Sequence, residues 1–322
     1  MLKRISLLSF LVLAGLWGAA RPVYGQALVP HVVPLEVEQL EQQGLSLAQE
    51  AAQLAQFQQY EPALSRAQLA TQLAPENAQI WSLLGSLYLT PETLDLNRGI
   101  SALQRARRLD PQNSAILFAL GSAYFQLEDY NRSVEYLRSG LALDAEVPGA
   151  LFDLGNAYYK LNQFDQAIAQ YERAVELDEA FWPATNNIGL VLYEMGDVEG
   201  ALEKWQAALE VDGNQPEPQF AIAVVSYSQG NVEAAVQQAE TALRRDDRYA
   251  DVEFLREQLW GDRLIADTQA FLRLPQIQAT LTQLSGTRAT TVEAPNGVDT
   301  PGEVMPVPVP DSPMPNEIIP PQ

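Results

Sequence analysis

Between Pro148 and Glu179 the apolar residues fall at helical spacing twice, with a short polar break between the two runs. Leu151, Leu154, Tyr158 and Leu161 share one face of a first helix. Ala167, Ile168, Tyr171, Ala174, Val175 and Leu177 share one face of a second. Asn162 and Gln163 interrupt the pattern, and Asp165 stands where it can cap the second helix. Gly155 and Ala167 are small where the two axes are expected to cross most closely, since a larger side chain would push them apart. Such a pair cannot bury its apolar faces alone, so it needs neighbours of the same kind.

The neighbours recur at a fixed spacing of 34 residues. Gly155 becomes Gly121 or Gly189, Tyr158 becomes Tyr124 or Leu192, and Ala167 becomes Ser133 or Ala201. Ala174 becomes Gly140 or Ala208. Asp110, Asp144, Asp178, Asp212 and Asp246 mark the turn between one pair and the next, where a short polar side chain suits the backbone. A helix–turn–helix unit of this period, with Leu-Gly, Tyr, Ala, aromatic and Ala in these places, resembles the tetratricopeptide repeat. The resemblance covers about two thirds of the chain. It implies an all-α fold, a right-handed superhelical solenoid of antiparallel helix pairs.

Taken in order, residues 28–43 are a linker and the start of a first long helix, Leu35 to Phe57, whose second half opens repeat one. Pro62 opens its partner helix, where its missing N–H costs nothing. Six repeats occupy 44–247. Pro75 to Pro111 is longer than the period by two residues, and the excess belongs in the turn around Thr90 to Gly99, because packed helix faces cannot absorb insertions. Repeat six keeps a ladder of Ala235, Ala239 and Ala242. Residues 248–284 read as a degenerate helical cap: Tyr249 to Trp260, a break at Gly261, Asp262 to Leu272, and a short helix near Gln276 to Leu284. Arg256 and Glu257 replace the usual Leu and Gly, as suits a terminal unit with one face toward water. Residues 285–322 hold nine prolines and little periodicity, the composition of a disordered tail.

The amino terminus changes the picture. Lys3 and Arg4 precede an uncharged run from Ile5 to Ala20, the layout of a secretory signal, with small residues for cleavage after Gly25 or Ala27. Residues 1–27 are therefore a signal peptide or, uncleaved, an N-terminal anchor. The expected location is the periplasm, a thylakoid-type lumen, or the membrane through that segment alone. Loss of Lys3, Arg4 and Arg21 would take the net charge from −21 to −24. Such a charge repels phosphate backbones, so nucleic acid is not an expected partner. With no cysteine and one histidine, His31 in the linker, the chain has no means to build a zinc cluster or a Ser–His or Cys–His pair. No GxGxxG, P-loop or HExxH motif occurs. No enzyme activity, cofactor or metal is expected.

The family resemblance implies that the first helix of each pair lines a concave face. Phe125, Tyr159, Tyr193 and Tyr227 then form one column on it and Phe118, Phe152, Asn186 and Phe220 another, with Asn156 and Asn187 between. Aromatic rings supply contact area at low entropic cost, and asparagines bond a peptide backbone without regard to sequence. Some relatives hold a peptide's terminal carboxylate with basic residues on this face. Here the matching positions are Ala115, Ala119, Gly149, Asp153, Pro183 and Asn187, none of them basic. The expected function is a scaffold or assembly factor binding another protein or an extended peptide. The alternative is a structural protein that self-assembles through its ends or its aromatic face. Monomer and homo-oligomer both stay open.

Overall fold

The computed structural model describes residues 36–292, with side chains through Ser285. The expected signal segment or anchor, its cleavage position, the linker and residues 293–322 of the expected tail lie outside the described residues, while residues 285–292, expected to be disordered, continue the last helix. Among those described there are fifteen α-helices and no strand. Residues 36–40 make the opening turn of α1, where the Gln39 amide donates to the Glu36 carbonyl at 3.0 Å. The compact repeat unit begins at Glu41.

Six helix pairs follow one another. They are α1 (Val37–Gln56) with α2 (Tyr60–Leu73), α3 (Ala78–Leu87) with α4 (Leu96–Leu109), and α5 (Ser114–Gln126) with α6 (Tyr130–Leu143). Then come α7 (Pro148–Lys160) with α8 (Phe164–Leu177), α9 (Trp182–Met195) with α10 (Val198–Val211), and α11 (Pro216–Ser228) with α12 (Val232–Arg245). From repeat two to repeat six each helix packs against the one before and the one after it, the arrangement of a solenoid. Pro62 stands at the third position of α2, since Tyr60 and Glu61 already belong to the helix. The two extra residues of repeat two lie in a short 3₁₀ turn, Pro91–Thr93, as the insertion argument requires.

Local chemistry sets the boundaries. Asn77, Asn113, Asp129 and Asp197 each accept an amide from the first turn of the helix they precede. Asp165 does not cap α8: Gln163 is the residue before that helix, and Asp165 lies inside its first turn. There its charge still complements the helix dipole. The recurring aspartates Asp110, Asp144, Asp178, Asp212 and Asp246 each follow the last residue of a second helix. Asp178, Asp212 and Asp246 accept the amide two residues on, which fixes the turn into the next repeat. Between the two helices of repeats one, three, four, five and six a single residue turns left-handed: Gln58, Glu128, Asn162, Gly196 and Gly230.

In repeats two to five the close crossing within each pair is built from glycine and a large side chain rather than two small residues. A Cβ on Gly155 would lie 2.5 Å from the Tyr171 ring, and one on Gly189 would lie 2.6 Å from the Trp205 indole. Gly121 meets Leu137 and Gly85 meets Leu103 in the same way. The partner of Gly155 is thus Tyr171, one turn beyond Ala167. The ring lies in the notch that the missing side chain leaves. In repeat six the equivalent positions are Ala223 and Ala239, both fully buried.

The cap departs from a simple continuation. A 3₁₀ turn (Asp247–Ala250) leads to short α13 (Val252–Glu257), and Leu259 turns left-handed at φ 66°. Then α14 (Asp262–Leu272) comes back across the array and packs against α9 and α11, the first helices of repeats five and six. The last helix, α15 (Pro275–Val292), packs against α12. Arg256 and Glu257 are exposed, whereas Trp260, Leu264, Ile265, Phe271 and Ile277 are buried in one cluster with Phe220, Tyr193 and Trp205.

Candidate functional site

The first helices present a continuous face, stitched between repeats by polar contacts. The Ser122 hydroxyl of α5 donates to Asp153 of α7 at 2.7 Å. Asn187 of α9 donates to Asn156 of α7 at 3.0 Å, and the Tyr171 hydroxyl reaches the same Asn156 oxygen at 2.7 Å. Asn186 donates to Asn187 at 3.2 Å. Burial raises the Tyr171 hydroxyl well above the usual phenol range and lifts the Asp153 carboxyl, against the pull of the Ser122 bond. Asn156 and Asn187 are therefore held by side chains of the fold itself.

The residues singled out from the sequence fall into two groups. Phe118, Phe125, Phe152 and Asn156 are partly exposed. Phe125 leans edge-on against Tyr130 with ring centroids 5.3 Å apart. Phe152 stands between Tyr171 and Phe181, at 5.7 and 5.4 Å. Phe118 fills the space beside Gly140. Beside them Ser82, Leu83, Ser86, Leu89, Ala119 and Ser122 keep this part of the face accessible.

The second group is covered. Asn186 is 1 % exposed, Tyr193 2 % and Phe220 0 %, Asn187 and Tyr159 are also buried, and Tyr227 is partly buried. The cover over repeats five and six is the chain's own segment from Trp260 to Phe271. Phe271 packs its ring on Tyr227 at 5.2 Å and on Phe220 at 6.2 Å, and Trp260 packs on Phe220 at 6.0 Å. Directional bonds add to this. The Glu194 carboxylate accepts the amides of Arg263 at 3.2 Å and Leu264 at 3.1 Å, closing the amino-terminal end of α14. The Tyr193 hydroxyl donates to Asp267 at 2.5 Å, and burial and that neighbour push its pKa up to about 12. Arg263 lies 4.8 Å over the Tyr193 ring and donates to the Tyr193 carbonyl. The Trp260 indole donates to Glu217 at 3.0 Å.

Glycine makes the close approach possible at two places. Gly196 has φ 94°, and a Cβ there would stand 3.1 Å from Arg263; a Cβ on Gly261 would run into Glu194. Where the cover ends, Tyr159, Lys160, Phe164 and Glu194 on one side and Leu259, Trp260 and Asp262 on the other enclose a cavity of about 360 Å³.

Glu217, Glu194 and the Trp260–Phe271 segment were not among the residues the sequence pointed to. One signal was present: Glu217 is the lone acid in a column otherwise made of Ala115, Gly149 and Pro183. No group of His, Cys, Asp or Glu among the described residues could hold a metal ion. No helix among them is long and apolar enough to cross a membrane.

Family models agree with the repeat register. A model described as TPR repeat matches residues 155–196 and 189–230, and one described as tetratricopeptide repeat matches 92–150. Among solved structures, a crystal structure of MamA is 23 % identical, covering 51 % of this chain and 94 % of that one, with a TM-score of 0.47. YrrB, described as a TPR protein with an unusual peptide-binding site, is 21 % identical over 56 % and 93 % of the two chains, with a TM-score of 0.47. A MamA fragment from Desulfovibrio magneticus RS-1 is 17 % identical over 54 % and 97 %, with a TM-score of 0.49. A search of curated proteins gives no match.

Proposed function

We propose that this chain, whose residues 92–150 and 155–230 match tetratricopeptide-repeat models, is a non-catalytic interaction scaffold or assembly factor that holds a protein segment on its first-helix face. One observation carries the reading. In repeats five and six this face already buries a polypeptide segment, with rings on rings and a hydroxyl, a carboxylate and a carbonyl on polar groups. The equivalent surface of repeats two and three, with Phe152 and Asn156 of repeat four, is built on the same period and is left partly accessible. Its contacts for a partner are Phe125, Leu83 and Leu89, with Ser86 and Ser122 for backbone bonding. Phe118, Phe152 and Asn156 support them. The place of work is the cell envelope or a lumen, in keeping with the charged start and uncharged run of residues 3–20. Amino-terminal sequencing of protein from its own host should begin at Gln26 or Leu28, and an intact Met1 favours the anchor.

The test of binding starts with a partner recovered by cross-linking in the native cell. Buried aromatics concentrate interface energy, so Phe125→Ala should weaken that partner's affinity more than tenfold, about 1.4 kcal/mol or more. Glu172→Lys, on a second helix, should leave affinity unchanged. An unaltered affinity for Phe125→Ala with the fold intact moves the binding surface elsewhere. Self-assembly through the aromatic face has less to work with, since the half of that face with Tyr193, Phe220 and Tyr227 is used within the chain. A clean monomer in light scattering supports the scaffold, and a concentration-independent dimer supports self-assembly.

A further inference from the structure

Apolar burial, the Glu194 cap on its first amides and the Tyr193–Asp267 bond hold α14 in place. The Trp260–Glu217 contact is different. Glu217 is 7 % exposed and lies under the segment, where its carboxyl meets the Trp260 indole and the Asn186 side chain. No ion pair among the described residues includes it. The titratable group facing it from the turn Asp247–Ala250 is Tyr249, which burial keeps protonated; Arg248 beyond it is engaged with Asp246. From α9 it meets only the Asn186 amide, and from the segment only the indole. The Asn186 side-chain oxygen is buried with no hydrogen-bond donor. The Trp260 and Asn186 contacts favour the ionised carboxyl, but desolvation outweighs them: an ionised Glu217 is a buried charge without a counter-charge.

The geometry points to Glu217 as a proton-operated latch on the Trp260–Phe271 segment: neutral, it holds the segment across the first-helix face, and ionised, it loosens the segment and bares repeats five and six. The inference rests on the reading of this face as a polypeptide-binding surface and adds how access to part of it is governed.

The sign follows from burial. Desolvation raises the Glu217 carboxyl from 4.5 to about 7 in the docked state. The docked form therefore binds the proton more tightly than the undocked form. The Glu217 contribution to docking is fully present below about 4.5, is lost as pH rises toward 7, and levels off above it. The full window corresponds to a change on the order of 300-fold in the opening equilibrium, and the span from pH 5 to pH 8 to roughly 70-fold.

The experiment is hydrogen exchange on the full-length protein at pH 5 to 8, corrected for intrinsic rates, with α5 and α6 as internal reference. Amides of residues 262–272 should lose protection by tens of fold across that range while the reference stays level. Glu217→Gln, neutral at every pH, should abolish the dependence. A wild-type profile that is flat, or a Glu217→Gln profile that still slopes, overturns the latch. Should Glu217→Gln misfold, carbon-13 titration of Glu217 in the wild-type chain decides: a midpoint near 7 supports the latch and one near 4.5 removes it. No partner is needed, so failure here leaves the Phe125 test standing, and failure there leaves this one standing.

Discussion

Repeat three and repeat five present the same helix faces to the same side, yet their aromatic residues meet opposite fates. Phe125 is half-buried with an open edge, while Tyr193, two repeats later in the same column, is 2 % exposed and bonded to Asp267. Asn156 is partly exposed, while Asn187 is withdrawn, and in the neighbouring column Phe152 is partly exposed where Asn186 is sealed. Place within the repeat decides which way a side chain points. What covers it depends on a segment far along the chain, because Asp267 lies 74 residues from Tyr193 in sequence.

The sharpest way to break this comparison is to truncate one ring on each side of it. Phe271 is fully buried, so Phe271→Ala should cost about 3–5 kcal/mol, and hydrogen exchange should rise in repeats five and six and the cap. Phe125→Ala should cost about 1 kcal/mol or less in a urea melt, and equal costs would mean the two halves are not distinct. Next in size is overpacking at the helix crossing. Gly155→Leu drives a side chain into the Tyr171 ring and should cost about 1–3 kcal/mol, with exchange rising around repeats three to five and not in the cap.

A smaller effect probes the cover alone. Gly261→Ala displaces the Glu194 carboxylate from the Arg263 and Leu264 amides, and should lower protection of α14 by about 1–2 kcal/mol while leaving α5 and α6 unchanged. The smallest is a gain. Glu128 holds φ 60° where repeats five and six carry Gly196 and Gly230. Glu128→Gly should therefore stabilise by about 0.5 kcal/mol in thermal melting, the relief of a left-handed residue less the added chain entropy.

The repeat array was legible because its determinants are local. A period of 34 residues, the Gly121, Gly155 and Gly189 column and the recurring aspartates all act within one unit or on the next. The crossing partner of Gly155 was misplaced by one turn, because sequence marks where space is left but not which side chain fills it. The fate of the aromatic columns was not legible at all. Trp260, Leu264 and Phe271 show an apolar helix face, and that pattern is silent on whether the face turns to the last repeat or back across the array. Glu217 was hidden for a related reason: a carboxylate at a helix start reads as a favourable surface charge until a distant indole closes over it.

The reach of α14 also orders events at birth. Contacts between neighbouring repeats can form as soon as each pair leaves the ribosome, since domains and repeats fold as the chain emerges. The contacts of Tyr193, Glu194 and Phe220 with residues 260–271 cannot. A nascent chain carrying all six repeats therefore displays a bare aromatic surface for the time it takes to translate the segment that will cover it. During that interval a chaperone, or a partner meeting the chain co-translationally, finds a longer groove than the finished protein offers.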